Sequence, residues 1–112
     1  MTSVAKTWHA SLPAGVHRTT GAILSLAECQ ADPAAVVEHS ALTEEQKIAL
    51  VRARWLAGEW KDVLYGTDGL IDRDRALREL LARSDIGRHL MATELRAIEM
   101  VHEDTAAGKR KG

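Results

Sequence analysis

Apolar positions recur at helical rather than alternating spacing along most of this chain. The clearest stretch follows Thr43-Glu44-Glu45-Gln46, a capping box in which the threonine hydroxyl takes one free backbone N–H and the glutamine reaches back to another. Behind it, Ile48, Val51 and Trp55 mark one apolar stripe, and Ala49, Ala53, Leu56 and Trp60 mark a second. Together they predict a wide-faced, central helix, contacted on two sides and open to interruption at Gly58. Asp72, with Ile71 as a hydrophobic staple, predicts another helix through Ala76, Leu77, Leu80 and Leu81. Ser84 or Asp85 then caps a last helix lined by Ile86, Leu90, Met91, Leu95, Ile98 and Val101.

Two weaker helical signals precede these. Thr19 or Thr20 can cap a helix carrying Ile23, Leu26 and Ala27, and Asp32-Pro33 starts a short helix through Val36 and Val37. Between the stronger helices, Gly66-Thr67-Asp68-Gly69 is a turn whose two glycines can take positive φ. The expectation is an all-α fold, a compact irregular array of four to five helices in a single domain. An irregular N-terminal arm (1–18) with breakers Pro13 and Gly15 precedes the helical domain (19–104), and a basic C-terminal tail (105–112) follows it.

Composition supports helices. The 112 residues are rich in Ala and Leu, the strongest helix formers, and contain three Trp, one Tyr and no Phe. A net charge of −1 supplies no global field for nucleic acid or an anionic membrane. The one cysteine, Cys29, cannot form an internal disulfide, and no stretch approaches a membrane span. A cytoplasmic location is expected.

Candidate chemistry is sparse. Leu80, Ile86 and Met91 fall where a helix-turn-helix places its apolar residues, but Asp85, Glu94, Glu99 and Glu103 make an acidic recognition helix beside Arg88 and Arg96. Nucleic acid is therefore an unfavoured partner. Glu99 and His102 have the Glu-x-x-His spacing of carboxylate-bridged metal bundles, which a dimer could complete with Glu94, Glu79 or Glu59. His9, His17, His39 and His89 show no ligand spacing, and Cys29 has no adjacent cation to activate it. No phosphate loop, nucleophile elbow or paired-cysteine motif is present, so no catalytic residue and no cofactor is assigned.

The aromatic residues carry the preferred reading. Trp55, Trp60 and Tyr65 lie close together, and Trp8 adds a fourth anchor in the arm. Such side chains are enriched at interfaces because they bury a large area while keeping one polar atom. Ala31-Asp32-Pro33-Ala34-Ala35 and Ala41-Leu42-Thr43-Glu44-Glu45-Gln46 resemble a two-helix stretch in the small helical subunit of the protocatechuate-type extradiol dioxygenases. That resemblance implies an accessory helical subunit, but it stops before Gly58 and assigns no family. The expected function is a non-catalytic partner-binding or accessory subunit that self-associates or docks on a larger protein. The alternatives are a helix-turn-helix regulator and a dimeric metal-binding enzyme.

Overall fold

The computed structural model describes residues 11–58 and 60–111, with side chains described through Glu103. Along the chain run β1 (Pro13–Val16), β2 (Ile23–Ser25), α1 (Leu26–Ala31), two short 3-10 turns (Pro33–Ala35 and His39–Ala41) and α2 (Glu44–Ala57). There follow β3 (Val63–Leu64), β4 (Leu70–Ile71), α3 (Arg73–Ala82) and α4 (Asp85–Lys111). The fold is thus mixed α/β rather than all-α: β1 pairs antiparallel with β2, and β3 with β4, as two small separate sheets.

The first hairpin replaces the helix expected after Thr19 and Thr20. His17 Nδ1 accepts from the N–H groups of both threonines, at 3.1 and 3.2 Å, and Thr20 Oγ1 accepts from Ala22 N–H. These contacts fold the segment into a turn, which Gly21 completes at φ 75°. A strand partner is available because Pro13–Val16, expected to be an irregular arm, is itself extended. The helix starts later, at Ser25, which forms a capping box with Glu28. The N–H of Ser25 donates to the Glu28 carboxylate and holds it below the usual carboxylate range.

The helix expected to carry Val36 and Val37 is also absent. It stops after Ala35, because Val37 N–H donates to Val16 O at 2.9 Å and Val36 bridges to His17. Gly15 lets this layer close: a methyl there would stand 2.7 Å from Cys29 Sγ and 2.9 Å from a methyl of Val36.

Helix α2 follows its sequence signals closely. Thr43 and Gln46 form the capping box, and the helix ends at Gly58. It packs against β1, α3 and α4 through Ile48, Leu50, Val51 and Trp55, all buried. The second expected stripe stays largely outside, with Ala49 exposed and Leu56 47% exposed.

Beyond α2, the Gly66–Asp68 turn links β3 to β4, with Gly66 at φ 50° and Gly69 at φ 77°. Asp72 Oδ1 caps α3 by accepting from Arg75 N–H at 2.8 Å. Helix α4 is long: its backbone stays helical to Lys111, through the segment expected to be a tail. Leu90, Leu95 and Ile98 fasten it to the core.

The junction between α3 and α4 is tight. Arg83 takes a left-handed conformation, φ 56° and ψ 35°, and its N–H reaches back to carbonyls of α3. Ser84, one of the two caps expected, accepts from Gly87 N–H at 3.0 Å. A left-handed residue with a Cβ costs about 1–2 kcal/mol. The exposed Arg83–Glu44 pair, 3.8 Å apart, offsets little of that. Arg83→Gly should therefore raise stability by about 0.5–1 kcal/mol, read as a higher urea midpoint at unchanged slope. A lower midpoint would contradict the left-handed cap.

Candidate functional site

Among the described residues, Trp55, Trp60 and Tyr65 lie in or against the core. Trp55 is only 5% exposed, and its indole N–H donates to Glu94 Oε1 at 2.8 Å. Trp60 meets the Trp55 ring edge-on at 5.2 Å and donates its N–H to the Ile71 carbonyl at 3.1 Å. Tyr65 is half-buried and stands edge-on to His89 at 5.6 Å. Trp60 and Tyr65 both pack against the core. Trp8, the fourth expected anchor, lies outside the described residues.

Glu94, expected among the acids of the last helix and as a further metal-ligand candidate, is a central structural residue. Its carboxylate also accepts from Arg54 Nε at 2.9 Å, and Arg54 donates in turn to Pro13 O at 2.9 Å. A charge-assisted network therefore ties α4 to α2 and to β1. Helical spacing carried the signal: Glu94 lies three residues after Met91 and four before Ile98, on the inward face.

Among the described residues, the large exposed apolar ones are Leu56, Leu64, Leu70, Leu81 and Met100. Two of them form a pair. Leu64 and Leu70 are directly opposite across β3 and β4, at 74% and 64% exposure, while their neighbours Val63 and Ile71 turn towards the core. Alternation along a strand dictates this division, one side chain in and the next out. The hairpin is held firmly, by the Trp60 bond to Ile71 and by Arg75, which donates to Asp68 O at 3.1 Å.

Glu99 and His102 come near one another but engage other partners. His102 Nε2 is 2.8 Å from Ala14 O, so that nitrogen carries the proton and donates. Glu99 pairs with Arg96 and stands 3.8 Å from His39 Nε2. Glu79 pairs with Arg75 at 3.6 Å, and Glu59 lies outside the described residues. Among the described residues, no three His, Cys, Asp or Glu side chains are grouped to hold a metal ion.

The other polar candidates have structural partners. Cys29 is buried, and desolvation, reinforced by the negative charge of Glu28, pushes its thiol pKa up. It stays protonated, which is unfavourable for a nucleophile. His17 organises the first hairpin turn. On α4, Arg96 is occupied by Glu99 and Glu103, which leaves it poorly placed to neutralise a phosphate. Among the described residues, no helix is long and apolar enough to cross a membrane.

The chain was compared with protein-family models, curated proteins and solved structures, and nothing matches.

Proposed function

We propose that this chain is a non-catalytic partner-binding or accessory subunit whose contact surface is the outer face of the β3–β4 hairpin. The observation that carries the reading is the cross-strand pair of Leu64 and Leu70, exposed side by side on a braced hairpin. Fully burying a leucine side chain is worth about 1.5–3 kcal/mol, so covering both is a substantial driving force. Bracing by Trp60 and Arg75 lowers the ordering cost of binding, because the hairpin need not be rigidified on contact. The aromatic segment thus serves association indirectly, by fixing the leucines that meet the partner. The partner is a protein, either a second copy or a larger chain.

The test is the double substitution Leu64→Ser and Leu70→Ser. Both side chains face solvent, so the variant should keep wild-type stability within about 0.5 kcal/mol. Sedimentation velocity over a range of concentrations, alone and with any co-isolated protein added back, should show association in the wild type and its loss in the variant. Undiminished association in the variant would remove this surface from the account.

A further inference from the structure

A cavity of about 290 Å³ lies between β1, the 3-10 turns and α4, away from the leucine pair. Its apolar lining is Ala14, Pro33, Val36, Val37, Leu42 and the thiol of Cys29. Its lining also carries three carboxylates, Glu38, Glu99 and Glu103, and two imidazoles, His39 and His102. Arg96 pairs with Glu99 and Glu103, but Glu38 has no cationic partner among the described residues. The proton on His102 Nε2 is spent on Ala14 O, so a neutral His102 keeps Nδ1 as an acceptor. Acceptors therefore outnumber free donors beside the apolar lining. A binding pocket commonly joins an apolar lining to a few polar groups that fix orientation, and this one is at the small end of the usual range.

We propose that this cavity binds a small organic amine with an apolar body, its ammonium group held at Glu38 and Glu99 and its hydrocarbon part on Val36, Val37 and Leu42. An ammonium supplies the donors and the positive charge that the rim lacks. A carboxylate ligand would be repelled by Glu38 and only partly screened from Glu99 and Glu103 by Arg96, and a neutral ligand would forgo the attraction of that negative charge. Because the site shares no residue with the hairpin, it stands or falls separately from the proposed partner surface.

Benzylamine is a suitable probe, with benzyl alcohol and benzoate as neutral and anionic controls of similar size. In amide NMR titrations of the full chain, benzylamine should give saturable shifts at Ala14, Val37 and Leu42. It should bind about tenfold more tightly than benzyl alcohol. Glu38→Gln changes an exposed side chain and should weaken benzylamine about fivefold without altering the fold. Val37→Phe should fill the cavity and abolish the shifts. No saturable shift, equal binding of the alcohol, tighter binding of benzoate, or no effect of Glu38→Gln would each overturn the proposal.

Discussion

Replacing Gly87 with alanine should destabilise the protein by about 3 kcal/mol, although the same change inside an ordinary helix stabilises by about 1 kcal/mol. Gly87 lies in the first turn of α4, where that helix crosses the end of α3. A methyl there would run into the backbone carbonyl of Glu79 and come within 2.8 Å of Leu80 N. Backbone cannot swing aside as a flexible side chain can, so the two helices must separate. Separation would also strain the Ser84 cap, whose hydroxyl bonds Gly87 N–H and Glu79 O together. The check is urea unfolding followed by tryptophan fluorescence, with the midpoint falling and the slope unchanged. A neutral or stabilising result would mean that α3 and α4 do not approach this closely.

Glu94→Ala should cost a similar amount, about 3 kcal/mol, by a different route. The carboxylate accepts from both Arg54 and Trp55, and the Trp55 indole is nearly fully buried. Removing it leaves a buried N–H unpaired and a mostly buried guanidinium without its counter-charge. Each loss is worth about 1–3 kcal/mol. The total is set below that of a fully buried pair because the Glu94 and Arg54 side chains keep 22% and 14% exposure. Glu94→Gln, which can still accept from the indole, should lose only about half as much. Equal losses for the two variants would show that charge, not the indole hydrogen bond, dominates. A loss under about 1 kcal/mol for Glu94→Ala would contradict the network itself.

What the sequence disclosed was local chemistry. The caps at Thr43, Asp72 and Ser84 were legible because each needs only a side chain and an N–H two or three residues away. Gly66 and Gly69 were legible for the same reason, since both positive φ angles lie within one turn. The strands were not legible. They run two to four residues, too short for alternation to register, and their partners are remote: Val37 leaves the helical path to bond Val16. His17, an unremarkable residue in the sequence, redirects Thr19 and Thr20 from capping a helix to shaping a turn. Exposure on the hairpin follows strand alternation rather than residue type. Leu64 and Leu70 point outward, while Trp60 and Tyr65 are half-buried against the core and Trp60 bonds the hairpin at Ile71. Glu94 could have been found, because its helical phase matches Met91 and Ile98.

We propose that this chain works by protein contact through the hairpin leucines. The most direct test is native mass spectrometry of the untagged protein isolated from its own cells, beside the Leu64→Ser, Leu70→Ser variant isolated the same way. The account predicts a homo-oligomer or a stoichiometric complex for the wild type and a bare monomer for the variant. A wild-type monomer with nothing bound, or a complex that survives the double substitution, would contradict it.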